Sequence, residues 1–216
     1  MVVVFEEIIP TLERRWTRFI CEQPFVRDAI LTQVVLPHFS DKRTFVVVYS
    51  EAMFRKFAKF LEISVSKFPE LERVFERINF IKIGKRTECK FGDLYAFVEQ
   101  GSPNLVTELV QRFEDLKDND VLILHESFGL LLELLDLKDI LEIFSVLPDD
   151  ITLFSFRGYE SHVDRVVNEV YDVVVRIEPD DMIDETHYIV SVEDFSDCSK
   201  EFGRFRVKEG KLVDLE

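Results

Sequence analysis

Four stretches of this 216-residue chain bring together side chains that could do chemistry. His125-Glu126-Ser127-Phe128-Gly129 follows an apolar run and precedes a leucine-rich one. That is the strand-turn-helix setting in which G-x-S-x-G presents a serine nucleophile. A hydrolase here would use Ser127, with His162 or His187 as base and Asp164 or Asp172 as acid. The motif's first glycine is replaced by His125, whose ring would crowd the turn, and no His-Gly string for an oxyanion hole lies upstream. The competing assignment is an ordinary turn with Ser127 as N-cap. Asp180-Asp181-Met182-Ile183-Asp184-Glu185-Thr186-His187 gathers oxygen ligands of the kind Ca²⁺ and Mg²⁺ prefer. It lacks EF-hand spacing and a glycine to bend the chain, so it reads as a solvated acidic loop. Cys21, Cys89, Cys198 and the four histidines have no zinc-ligand spacing, and no metal or cofactor is predicted. Lys82, Lys85, Arg86 and Lys90 surround the turn at Gly84-Lys85-Arg86-Thr87. Against the acidic background they are expected to balance neighbouring glutamates.

Composition narrows the choice. With 42 acidic and 27 basic residues the net charge is −15, which opposes unaided binding to nucleic acid or an anionic membrane. Hydrophobic residues make up 47%, enough for a full core and no basis for global disorder. No apolar run reaches the ~18 residues of a membrane span. Three widely spaced cysteines and the absence of a basic, cleavable leader predict a reducing, cytoplasmic setting. Few amides beside many charges lean towards a thermophile.

The elements that would position these groups are legible as patterns. Thr44–Tyr49, Ile78–Ile83, Val121–Leu124 and Ile151–Phe156 are near-continuous apolar runs, the signature of central parallel strands covered on both faces. Phe25–Phe39, Glu51–Leu61, Leu71–Arg77, Leu105–Leu116 and Leu130–Phe144 repeat apolar residues at three- or four-residue intervals, which predicts helices. Ser102-Pro103-Asn104 reads as a helix start. After a short helix at Ser161–Glu169, strands at Tyr171–Ile177, His187–Val192, Gly203–Val207 and Lys211–Leu215 are predicted, with a hairpin turn at Glu209-Gly210. Leu130–Leu137 with Leu141 goes most of the way round its helix, which marks burial or an oligomer seam.

This order of elements resembles the RecA superfamily, and within it the archaeal KaiC-like domains. Trp16–Glu22 matches the strand before the phosphate-binding loop. Thr44–Glu51 matches the second strand with its terminal acid, and Val121–His125 matches the strand of the Mg²⁺-linked acid. Tyr171–Glu178, His187–Val192 and Gly203–Leu215 match the closing hairpin region. The resemblance implies one domain over residues 1–216: a three-layer α/β/α sandwich with a mainly parallel RecA-like sheet and C-terminal antiparallel strands. It also implies an ancestral nucleotide cleft at the carboxyl ends of the strands, where Arg27, Glu51, His125 and Glu126 fall.

The departures from the family pattern concern chemistry. A P-loop needs G-x-x-x-x-G-K-[ST], yet this chain reads Glu22-Gln23-Pro24-Phe25-Val26-Arg27-Asp28-Ala29, without glycine, lysine or hydroxyl. His125 stands at the position of the Mg²⁺-linked acid. The expectation is a non-catalytic domain, a pseudo-ATPase, that works through protein partners or self-assembly. The alternatives are a nucleotide or small-molecule sensor at the vestigial cleft and a serine hydrolase at Ser127.

Overall fold

The computed structural model describes residues 3–116, 120–126, 128–158, 166–180, 186–195 and 200–215. The chain opens with helix α1 (Val3–Ile8) and a 3₁₀ turn, then enters β1 (Trp16–Cys21). Helix α2 (Pro24–Ile30) continues through a π-helical stretch, Leu31–Val35, into α3 (Leu36–His38). Next come β2 (Arg43–Val48), α4 (Glu51–Lys67), α5 (Glu72–Phe75), β3 (Asn79–Gly84), β4 (Asp93–Glu99), α6 (Leu105–Glu114) and β5 (Val121–Glu126). Helices α7 (Phe128–Leu134) and α8 (Leu137–Ser145) lead to β6 (Thr152–Arg157). The closing strands are β7 (Val173–Pro179), β8 (His187–Asp194), β9 (Lys200–Lys208) and β10 (Lys211–Asp214).

All ten strands join one sheet in the order β10-β9-β8-β7-β1-β6-β5-β2-β3-β4. The seven from β7 to β4 are parallel, and β8, β9 and β10 extend the sheet antiparallel beyond β7. β1, β5 and β6 are buried along their whole length, as central strands covered on both faces are. Alternate residues feed two cores. Val26, Ile30, Phe54, Phe57 and Leu61 of α2 and α4 pack on Phe19, Val46, Phe80 and Leu124 on one face. Leu109, Phe113, Phe128, Ile140 and Phe144 of α6, α7 and α8 pack on Phe45, Val47, Ile81 and Ile123 on the other. This is the mainly parallel α/β architecture with an antiparallel C-terminal extension that the sequence predicts.

Several details differ from the sequence expectation. The stretch Leu130–Phe144 is two helices, because Asp136 accepts a hydrogen bond from the Asp139 amide at 2.9 Å and caps a new start. Pro103 lies ahead of the Asn104 N-cap of α6 and so outside the helix. α4 runs to Lys67. β4 was not foreseen. Most of the expected helix at Ser161–Glu169 lies outside the described residues.

The β3–β4 connection has an unusual economy. Parallel neighbours normally need a crossover of a dozen or more residues, yet only Lys85–Gly92 separates Gly84 from Asp93. These eight residues run back along the sheet as a strap, within reach at ~3.3 Å per extended residue. Gly92 ends the strap with φ +61°, and a Cβ there would lie 2.2 Å from the Ile78 carbonyl oxygen. Only glycine fits that turn and that approach.

Candidate functional site

The resemblance directs attention to the carboxyl ends of β1, β2 and β5. Two residues, Glu22 and Gln23, connect β1 to α2. Pro24 has no amide hydrogen. The Val26 and Arg27 amides both donate to the Gln23 carbonyl, at 3.1 and 3.2 Å. The Gln23 carbonyl thus takes up two of the first amides of α2.

Arg27 leaves α2 towards the carboxyl end of β5. Its Nε and Nη2 donate to Asp28 Oδ1 at 3.1 and 2.8 Å, and its Nη1 lies 3.5 Å from Glu126 Oε1 at the end of β5. Burial opposes the guanidinium charge, but Glu126 and Asp28 outweigh it and hold Arg27 above its ordinary value. Two carboxylates thus occupy Arg27, the cation next to this turn. Cys21, next to this turn, has its thiol pushed up to about 11 by burial, which removes it as a nucleophile at neutral pH.

Glu51 opens α4 behind the N-cap Ser50, whose Oγ accepts from the Met53 amide at 3.2 Å. Its carboxylate turns towards the strap. Oε2 accepts from the Lys85 and Arg86 amides at 3.0 and 3.3 Å and lies 3.3 Å from Lys82 Nζ. Burial pushes this acid up, but the Lys85 amide, Lys82 and the Arg86 amide together bring it below its ordinary value. Lys82 is buried, with Nζ donating to the Glu88 carbonyl at 3.1 Å and sitting 3.9 Å from the Phe54 ring centroid. Glu51, the terminal acid of the second strand in the resemblance, is here the anchor of the β3–β4 strap. Gly84 makes room for it, since a Cβ there would meet Glu51 Oε2 at 2.6 Å.

His125 and Glu126 are sequence neighbours on a strand, so they face opposite layers. His125 is fully buried in the second core. Its Nδ1 is 2.6 Å from the Tyr49 hydroxyl, and it stacks on Phe113 and Phe144 with Phe128 at its edge. Burial lowers its pKa to about 3, so it is a neutral core residue at physiological pH. Its Nε2 has no hydrogen-bond partner. Of the four cleft residues named from sequence, the structure joins Arg27 to Glu126. It commits Glu51 to the strap and His125 to the opposite core.

The other candidates fare similarly. Ser127, His162 and Asp164 lie outside the described residues. Asp172 precedes β7 and accepts from the Trp16 amide at 2.9 Å, whereas His187 lies by the far end of β7, where Tyr188 pairs with Pro179. The length of a strand, roughly 20 Å at ~3.3 Å per residue, separates that acid from that base. Gly129 is explained without an elbow: a Cβ there would lie 1.4 Å from Arg157 Nη1, so the glycine admits a buried guanidinium. Asp181–Glu185 and Cys198 lie outside the described residues. Among the described residues no cluster of histidine, cysteine and acid could hold a metal ion. Half of the basic cluster is spent on acids, Lys82 on Glu51 and Lys90 on Glu62 at 2.8 Å. No helix among the described residues is long and apolar enough to cross a membrane.

One feature on the first face was not singled out from sequence. A groove of about 330 Å³ runs between α2 with its π-helical continuation and α4, closed at one end by the β9–β10 turn. Phe25, Phe60, Ile63 and Phe68 line it, together with Lys56, Lys59 and Lys67. The recurrence of lysines beside apolar residues along α4 was the available signal.

No protein-family model matches this chain, and no curated protein matches it. Solved structures do. A KaiC-like protein of the hyperthermophilic archaeon Pyrococcus horikoshii OT3 superposes with a TM-score of 0.54 at 10% identity, covering 93% of this chain and 89% of its own. A second P. horikoshii OT3 protein gives 0.57 at 14% identity, covering 99% and 98%. A DnaB-like replicative helicase, solved in a study of its interactions with primase, gives 0.50 at 10% identity, over 94% of this chain and 59% of the helicase chain. At these identities the similarity establishes the fold, which is RecA-like.

Proposed function

We propose that this chain is a RecA/KaiC-like domain that has given up phosphate binding and works through protein contacts, as a regulatory or scaffold subunit. The observation that carries the reading is the β1–α2 turn. Two residues and a proline replace the glycine cradle, and the Gln23 carbonyl consumes two of the first amides of α2. A phosphate cradle needs successive amides aimed outwards and a lysine among them. Arg27, the cation next to this turn, is held by Asp28 and Glu126. The acid that would activate water is spent on Lys82 and the strap. Each element of the ancestral chemistry has a structural occupation instead.

The test is ATP turnover in Mg²⁺ buffer by the wild type and Glu51→Ala. The expected outcome is no turnover above buffer in either protein. Turnover in the wild type that disappears in Glu51→Ala would overturn the reading.

A further inference from the structure

Lys56, Lys59 and Lys67 line the groove between α2 and α4 and are solvent-exposed. None makes an ion pair among the described residues. Several other cations of this acidic chain are paired, Lys42 with Glu13 and Asp120, Lys82 with Glu51, Lys90 with Glu62, and Arg176 with Glu193. In a chain of net charge −15, three unpaired lysines on one wall form a local field of opposite sign. Beside them Phe25 is 50% exposed and Ile63 45% exposed, although both are large apolar residues. The acids at this site only partly offset the lysines: Asp28 is held by Arg27, which leaves Glu209 of the β9–β10 turn against three lysines.

We infer that this groove is a docking site for an acidic amphipathic helix of a partner protein, an inference that rests on the reading of the domain as a protein-contact module. Charge complementarity selects glutamate- or aspartate-rich chemistry, and the exposed Phe25 and Ile63 select apolar side chains at helical spacing. Lys56 to Lys67 spans about 16 Å of α4 at ~1.5 Å per residue, matching a partner helix of about three turns. The walls are already set. Gln33 Nε2 donates to the Gly210 carbonyl at 2.8 Å, and its Oε1 accepts from the Leu212 amide at 3.1 Å, fixing the β9–β10 turn against the π-helical stretch. A concave floor between two helices fits a helix better than a flat bilayer, from which the whole molecule's charge is repelled.

The probe is a fluorescein-labelled synthetic peptide of about sixteen residues, with leucine along one helical face and glutamate elsewhere. Its binding is followed by anisotropy, beside a control peptide with lysine in place of glutamate. Saturable binding of the glutamate peptide alone is expected, weakening several-fold as salt is raised. The combined Lys56→Glu, Lys59→Glu and Lys67→Glu variant should lose about tenfold or more in affinity. Phe25→Ser should lose affinity while keeping the salt dependence. All four positions are exposed, and a thermal melt of each variant confirms folding. No saturable binding, equal binding of the lysine peptide, or binding unchanged in both variants would overturn the inference. So would a concentration-dependent dimer in sedimentation that Phe25→Ser abolishes, which assigns the groove to a second copy. Cosedimentation with phosphatidylserine vesicles that is lost in the lysine variant would overturn it in favour of lipid. ATP turnover would defeat the non-catalytic reading without altering the peptide titration, so the two failures are distinguishable.

Discussion

Glu51 and His125, both expected in the cleft from sequence, are tied into the fold by their neighbours. Glu51→Ala leaves the Lys85 and Arg86 amides without an acceptor and the buried Lys82 without its carboxylate. Lys82 keeps the Glu88 carbonyl and the Phe54 ring, so we expect a loss of about 2–3 kcal/mol in urea unfolding, below the full cost of an orphaned buried charge. The folded-state pKa of Glu51 lies below its ordinary value of 4.5. Its contribution is therefore complete above that value and lost as pH falls through the lower folded-state pKa. The stability gap between wild type and Glu51→Gln should close on acidification. His125 works in a different window. Unfolded, it titrates near its ordinary 6.5; folded, it resists protonation down to about 3. The unfolded state thus binds more protons across that range, and stability falls by about 1.4 kcal/mol for each pH unit well inside it. His125→Leu should flatten the stability profile between pH 6 and 5 relative to wild type, a range above the Glu51 titration. An unchanged slope would mean that His125 is protonated in the folded state.

At the scale of elements, the strap explains most of what the sequence concealed. Central strands were legible because β2, β3, β5 and β6 are buried on both faces and read as unbroken apolar runs. β4 is an edge strand with mixed burial, and its crossover carries no helical pattern to announce it. The break between α7 and α8 rests on one capping carboxylate, Asp136, inside a leucine repeat that reads as continuous. The cleft was legible only as an alignment of positions. The pleat that sends His125 and Glu126 to opposite layers follows from strand geometry, but which layer each would meet depended on the partners, Tyr49 and Arg27. Gly92→Ala tests the strap. A side chain there meets the Ile78 carbonyl and requires a left-handed backbone, so the variant should lose about 2 kcal/mol or more. Gly210→Ala has a similar φ but open space and should lose about 1 kcal/mol. Equal losses in thermal melts would place the cost in backbone conformation alone.

Across the whole molecule, the resemblance read from element order and the similarity to solved structures agree on a RecA-like sheet. What differs is where the sheet's polar groups are spent. Charges that would face a nucleotide are directed inwards, to Asp28, Glu126, Lys82 and the strap. Three exposed lysines line the α2–α4 groove. On the proposed reading, the polar groups at the strand ends serve the fold and the exposed lysines of a helix face serve a partner. That division is what a protein-contact module requires. Calorimetric titration of the protein with ATP in Mg²⁺ buffer tests it most directly. The account predicts no saturable heat up to millimolar nucleotide, with ADP and GTP behaving alike. Saturable binding at micromolar strength, lost in Arg27→Ala, would contradict it, because the guanidinium would then be serving a phosphate in preference to Asp28 and Glu126.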